Sequence, residues 1–208
     1  MSNLIVDRAL ISVSNKEGIE TLGVSLQERM IPILSTGNTA KVLISKGIKV
    51  TEVSKFTNSP EMFGGRVKTL HPIIMGGILF RGDNQTDLDE ARKHGIQRIG
   101  LVAVNLYPFE EASQNKSLTA KEIIENIDIG GPSLIRAAAK NLRDVCIVTS
   151  PDDYDEVTRM IAQDGITPEY RYGSVQRAFR LTSRYDALIA DWFADNPDEV
   201  MEYMRKAA

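Results

Sequence analysis

The sequence predicts an α/β fold: a mostly parallel central sheet flanked by helices, with a helical C-terminal portion. Three observations carry this. Short apolar β-rich runs recur along the first 150 residues, several of them apolar almost throughout, as in strands covered on both faces. The segments between them have helical spacing, as at Ile19, Leu22, Leu26 and Met30, giving βαβ alternation. From Pro151 onward the pattern is almost wholly helical. At 208 residues the chain is long enough to bury a substantial core and fits one compact domain spanning 1–208.

Six runs read as strands in order: Ala9–Val13, Ile31–Leu34, Ile48–Val53, Ile78–Phe80, Ile99–Val104 and Val145–Val148. Gly47 and Gly95 stand where helices would end, and Ser150-Pro151 and Thr167-Pro168 place a capping hydroxyl before a proline at the first helical position. The helical last third reads equally as a bundle beside the sheet or as an arm toward another subunit.

Composition narrows the function classes. With 42% hydrophobic and 25% charged residues, 15 Gly and 8 Pro, fibrous and disordered chains are disfavoured. Lys plus Arg (25) against Asp plus Glu (28) gives a formal charge of -3, without the bulk attraction that nucleic acid or an anionic membrane requires. Cys146 is the only cysteine and His71 and His94 the only histidines, so no disulfide and no Cys/His zinc spacing exist, and a reducing, cytoplasmic setting is expected. No signal-peptide pattern opens the chain, and no apolar run approaches the ~18 residues of a membrane span.

Four segments carry chemistry-bearing residues. The turns Ser12-Val13-Ser14-Asn15-Lys16 and Ser35-Thr36-Gly37-Asn38-Thr39 follow the first two strands; amides, hydroxyls and a lysine there suit a phosphate, although Ser, Thr and Asn are equally ordinary helix caps. In Gly64-Gly65-Arg66-Val67-Lys68-Thr69-Leu70-His71-Pro72, an extended backbone would point Arg66 and Lys68 to one side to hold a phosphate or polarise a carbonyl; the alternative is a solvated basic loop. Asn105-Leu106-Tyr107-Pro108 ends an apolar strand where α/β proteins place ligands, with Tyr107 a proton donor or half-buried packing. Asp128-Ile129-Gly130-Gly131-Pro132 sets a carboxylate, as base or as cap, beside amides of the kind that bind oxyanions. Lys140, two helical turns beyond Pro132, reads by pattern alone as a surface lysine. Neither a P-loop nor a GxGxxG fingerprint is present.

Together these segments resemble the inosine monophosphate cyclohydrolase domain of bifunctional purine biosynthesis proteins. The resemblance runs from about Ala9 to Phe193 on ISVSNKEG, STGNTA, SPEMFGGRVKTLHP, GGIL, NLYPF, ENIDIGGPSLIRAAAKN and YDALIADWF, in the family's order. It implies a methylglyoxal-synthase-like fold and closure of 5-formamidoimidazole-4-carboxamide ribotide to inosine monophosphate with loss of water, without metal or cofactor. It assigns the ribotide phosphate to Ser12, Ser14, Lys16, Ser35, Thr36, Gly37 and Thr69, substrate contacts to Arg66 and Asn105, and base contacts to Ile129, Gly130 and Gly131. Lys68, Tyr107, Asp128 and Lys140 match the catalytic group.

Asn38 stands where the family has Gly, and Met75, Leu142 and Leu181 stand where it has His, which argues against histidine-assisted chemistry here. The formyltransferase domain that usually follows is not within these 208 residues, so the chain reads either as a free-standing cyclohydrolase served by a separate formyltransferase, which is the expectation, or as part of a longer chain. The family implies a homodimer, but its usual contacts draw on the absent domain, which leaves a monomer open. Methylglyoxal synthase and a nucleotide-sensing regulatory module share the fold. The first does not need RVKTLHP with NLYPF, and the second need not keep Lys68, Tyr107, Asp128 and Lys140 together.

Overall fold

A computed structural model describes residues 2–206. The chain runs β1 (Ala9–Ile11), α1 (Ile19–Glu28), β2 (Ile33–Ser35), α2 (Gly37–Ser45), β3 (Thr51–Glu52), α3 (Val53–Thr57), α4 (Pro72–Leu79), α5 (Gln85–Lys93) and β4 (Leu101–Ala103). It continues through α6 (Phe109–Gln114), α7 (Ala120–Glu125), α8 (Gly130–Lys140), β5 (Cys146–Val148), α9 (Tyr154–Ala162), α10 (Pro168–Asp195) and α11 (Pro197–Lys206), with 3-10 turns at Phe63–Gly65 and Pro151–Asp153.

The five strands pair in parallel in the order β3-β2-β1-β4-β5, with Ala9 in register with both Ile33 and Leu101, and Leu101 with Cys146. Alternation sorts each strand onto two faces. Ala9, Ile11, Ala103, Cys146 and Val148 meet α1, α2 and α9 in one core, while Leu10, Leu34, Val102 and Ile147 meet α4 and α8 in another. Burial on both faces explains why β1, β4 and β5 are apolar throughout, whereas the edge strand β3 is polar and exposed. The Cys146 thiol is fully buried, and burial pushes its pKa up to about 12, as expected of an inert core cysteine.

The cap signals hold. Thr167 accepts the Tyr170 N–H at 3.2 Å, Ser150 that of Asp152 at 3.3 Å, and Gly47 and Gly95 carry positive φ just past α2 and α5. One strand expectation fails: Ile78–Phe80 belongs to the end of α4 and its cap. His71 Nδ1 accepts the Ile73 N–H at 3.2 Å and Pro72 fixes the first helical φ, so the run turns helical before reaching Ile78.

A third apolar cluster joins the C-terminal helices to the segments carrying Tyr107 and Asp128. Phe109 packs edge-on against Tyr185 and Trp192 of α10, at centroid distances of 6.1 and 6.3 Å. The C-terminal portion therefore packs against the body of the fold rather than extending from it. Among the described residues no helix is long and apolar enough to cross a membrane.

Candidate active site

The strand order reverses between β1 and β4, so the crevice between their carboxyl ends is where a doubly wound sheet offers a ligand site. The sequence candidates gather there, with one exception. A separate cavity of about 1080 Å³ opens at the opposite, amino edge, lined among others by Ser2, Arg98, Asp144 and Arg171, and contains none of them.

The turn after β1 is occupied by the protein itself. Asn105 Oδ1 accepts the N–H groups of Ser14 (2.6 Å) and Asn15 (2.9 Å), and its amide donates to the Asn15 carbonyl at 2.9 Å. The Val13 N–H donates to Thr39 Oγ1, whose hydroxyl donates back to the Val13 carbonyl. Lys16 Nζ donates to the Ser14 carbonyl at 2.8 Å. The free amides expected at this turn are thus already spent, and Asn105, expected on the substrate, instead ties β4 to β1 across the switch point. Asn105→Ala strands the partly buried Ser14 N–H; at about 1–2 kcal/mol, the melting temperature should fall by about 2–6 °C in calorimetry, and by less for Asn105→Asp, which keeps the acceptor.

The turn after β2 is open. Ser35 is fully buried and its hydroxyl donates to the Ile11 carbonyl at 2.6 Å, so its side chain fixes the strand pair. The hydroxyls of Thr36 and Ser12 pair at 2.9 Å across the crevice floor. Thr36 starts α2 without a side-chain cap, which leaves the Gly37, Asn38 and Thr39 N–H groups facing the crevice end without helical acceptors. Gly37 has φ +45, and a Cβ there would lie 3.6 Å from Lys68 Nζ. An ammonium beside the positive end of a helix is a pairing that an anion between them would stabilise.

The loop from Met62 to His71 folds over rather than extending. Met62 and Val67 bridge, with Phe63, Gly64 and Gly65 all at positive φ, and Arg66 is helical rather than extended. Arg66 and Lys68 therefore do not share a side. Arg66 reaches Glu125 of α7 at 2.9 Å, and Lys68 reaches Glu61 at 3.3 Å. Thr69 is buried, its Oγ1 3.1 Å from where a Cβ on Gly130 would stand, so the loop spans from the start of α2 to the start of α8.

Asp128 sits at the start of α8. Its carboxylate accepts the Gly131 N–H at 2.8 Å, and the Gly130 and Tyr107 amides also bear on it. These bonds lower its pKa, but burial is the larger influence and pushes the carboxyl above its ordinary range. Asp128 is thus at once a cap and a carboxyl whose charged form burial disfavours, and the Gly130 and Gly131 amides expected to receive an oxyanion are turned onto it. Tyr107 is 55% exposed, with its hydroxyl making no intramolecular bond among the described residues, and Ile129 is 60% exposed at the crevice rim.

Lys140 is the exception. It is the last residue of α8, ten positions and about 15 Å of helix axis from Gly130, and α8 runs from the carboxyl edge back toward the start of β5. The fold does not bring it to Asp128. Conversely, Glu61, Glu125 and Tyr185 contact Lys68, Arg66 and Asp128 without standing among the sequence candidates. All three lie inside motifs that carry the resemblance, SPEMFGG, ENIDIGG and YDALIADWF, but only Glu61 has a spacing that suggests its partner, since a carboxylate seven residues before a lysine can pair with it across a tight turn.

An uncapped helix start, a lysine and a partly buried carboxyl gather at the switch point of a parallel sheet, which defines a doubly wound α/β domain with a candidate small-molecule site there. The family model described as MGS-like domain matches residues 18–133, just over half the chain, and the model of the AICARFT/IMPCHase bienzyme matches residues 138–208. The chain belongs to the MGS-like domain family. Similar curated proteins include the bifunctional purine biosynthesis proteins PurH of Oceanobacillus iheyensis, 48% identical over 92% of this chain and 38% of its own, and of Aquifex aeolicus, 51% identical over 89% and 37%. The chain thus spans little more than a third of the length of these relatives. The crystal structure of ForH superposes with a TM-score of 0.79 at 34% identity, covering 90% of this chain and 96% of that one.

Proposed function

We propose that this chain is an inosine monophosphate cyclohydrolase, closing 5-formamidoimidazole-4-carboxamide ribotide to inosine monophosphate with release of water. The observation that carries the reading is the placement of the partly buried Asp128 carboxyl beside the Tyr107 backbone and the start of α8, with the uncapped start of α2 and Lys68 across the crevice. A ribotide has the matching polarity, a phosphate at one end and the reacting groups at the other. Similarity to proteins called PurH, whose printed name concerns purine biosynthesis, supports the same reading.

The reaction joins the carboxamide nitrogen to the formyl carbon of the neighbouring formamide. Both groups are on one ring, so holding them in register supplies much of the rate. Asp128 accepts a proton from the carboxamide nitrogen as the new C–N bond forms and charge moves onto the formyl oxygen. With the Gly130 and Gly131 amides committed to Asp128, the hydroxyl of Tyr107, whose backbone amide bears on Asp128, takes the role of proton donor, and Lys68 supplies positive charge from the phosphate side. The former formyl oxygen leaves as water, having gained the carboxamide proton and the proton of the formamide nitrogen, which closes the C=N bond. Ile129 offers an apolar edge for the base. Arg66 contributes once its ion pair with Glu125 yields.

The reading carries with it a cytoplasmic setting, a formylated ribotide as substrate and, as the family implies, a homodimer. Purified chain mixed with the formylated ribotide should accumulate inosine monophosphate, followed by ultraviolet absorbance and chromatography, without added metal. Tight binding of inosine monophosphate with no turnover would overturn the catalytic reading in favour of a nucleotide-sensing module.

A further inference from the structure

We propose that Tyr185 is a positioning residue for Asp128, so that the C-terminal helix α10 sets the geometry of the reacting carboxyl. The proposal rests on the cyclohydrolase reading for its kinetic consequences, but its structural part stands independently. Tyr185 lies 57 residues from Asp128 in sequence, yet its Oη accepts the Asp128 backbone N–H at 2.8 Å. Only 5% of Tyr185 is exposed. Its ring stands edge-on to Phe109, 6.1 Å between centroids, and Phe109 stacks in turn on Trp192.

This arrangement has two consequences. Asp128 precedes α8 on a short connection from α7, and its side chain turns forward onto the Gly131 N–H. That bond and those of the Gly130 and Tyr107 amides hold only its carboxylate; the Tyr185 hydroxyl pins the backbone of the same residue. Moreover, Phe109 follows Tyr107 by two residues, so one aromatic cluster on α10 supports both segments that reach the reacting end of the crevice. The hydroxyl acts through Asp128 and is placed to receive, not to exchange protons with substrate: its oxygen faces an amide, and burial holds its own pKa above the ordinary tyrosine value.

A hydroxyl retained on a buried aromatic ring, with its oxygen on one backbone amide, is the kind of support whose loss loosens a reacting group by a fraction of an ångström, and such misplacement is expensive in rate. The phosphate end, at the start of α2, makes no use of Tyr185, so ground-state binding should be spared.

The test is Tyr185→Phe in the full chain, which keeps the ring. Three quantities separate the outcomes: hydrogen exchange at the Asp128 amide, the melting temperature, and kcat and KM for the formylated ribotide. The expected result is exchange at Asp128 faster by at least tenfold, kcat lower by about 10- to 100-fold, KM within about twofold, and a melting temperature lowered by only a few degrees. Wild-type turnover with an unchanged kcat in Tyr185→Phe would overturn the proposal, as would a rise in KM equal to the fall in kcat. Should the wild type itself fail to turn over, the cyclohydrolase reading falls. The exchange rate then decides alone: an Asp128 amide as protected in Tyr185→Phe as in the wild type sinks the positioning role.

Discussion

Asp128→Asn should reduce kcat by about 10²- to 10⁴-fold, the range expected when a general base is removed, while leaving inosine monophosphate binding close to wild type. The asparagine oxygen still accepts the Gly131 N–H that Asp128 accepts at 2.8 Å, so the start of α8 keeps its cap and the change is confined to the proton-accepting function. Stability should move the other way. Burial raises the folded Asp128 carboxyl above its ordinary range, so the folded state holds that proton more tightly than the unfolded chain. Its contribution is fully present below the unfolded pKa and is lost as pH rises through the folded one. At neutral pH the charged carboxylate is therefore a net cost, and Asp128→Asn should melt at an equal or higher temperature than the wild type at pH 7, with the advantage vanishing in acid. The same raised pKa sets the wild-type rate profile. The base must be unprotonated, so kcat should fall as pH drops through a value above the usual carboxylate range, and this limb should be absent from the residual activity of Asp128→Asn. A wild-type profile flat down to the ordinary carboxylate range would show that Asp128 is not the base.

The parts of this site that sequence made legible are those encoded locally. The strand ends and turns after β1, β2 and β4 follow from apolar runs ending in Ser, Thr and Asn, and they place the crevice correctly. Contacts between distant segments are not legible in that way. Asn105 reads as a ligand contact because strand ends bind ligands, yet its side chain is consumed by a turn 90 positions earlier. Tyr185 opens the motif YDALIADWF, but nothing local in that helix says that its hydroxyl reaches Asp128. Lys140, matched through the resemblance, stands ten residues along α8 from Gly130 at the far end of the helix, and a motif's letters do not say how a role at that distance would be exerted. The pairing of Arg66 with Lys68 fails because three consecutive positive φ values at Phe63, Gly64 and Gly65 reverse the backbone just where alternation was assumed. The helical Ile78–Phe80 is the same lesson at the level of elements, since a three-residue apolar run has no period of its own and the cap at His71 decides it.

Lys68→Ala should lower kcat/KM for the ribotide by about 10²- to 10³-fold, the cost typical of removing one electrostatic partner from a preorganised site. The loss should be shared between KM and kcat. Lys68 Nζ stands beside Gly37 at the uncapped start of α2, so its removal weakens the phosphate end; it is also one residue from Thr69, which touches the start of α8, so charge is lost near the reacting end too. Near-normal turnover would remove Lys68 from the mechanism, and a pure KM effect would confine it to phosphate binding. Glu61 supplies the counter-test. In the free protein its carboxylate holds Lys68 at 3.3 Å, with both side chains partly exposed, and a phosphate entering at α2 competes with it for the same ammonium. An ion pair of this exposure contributes about 0.2–1 kcal/mol, so Glu61→Gln should tighten inosine monophosphate binding by up to about fivefold in calorimetric titration. Weaker binding would mean instead that Glu61 is needed to aim the ammonium, since a lysine freed from its carboxylate is also freed to leave the crevice. The two opposing substitutions thus ask one question of the same ammonium: whether its position or its charge governs the phosphate end.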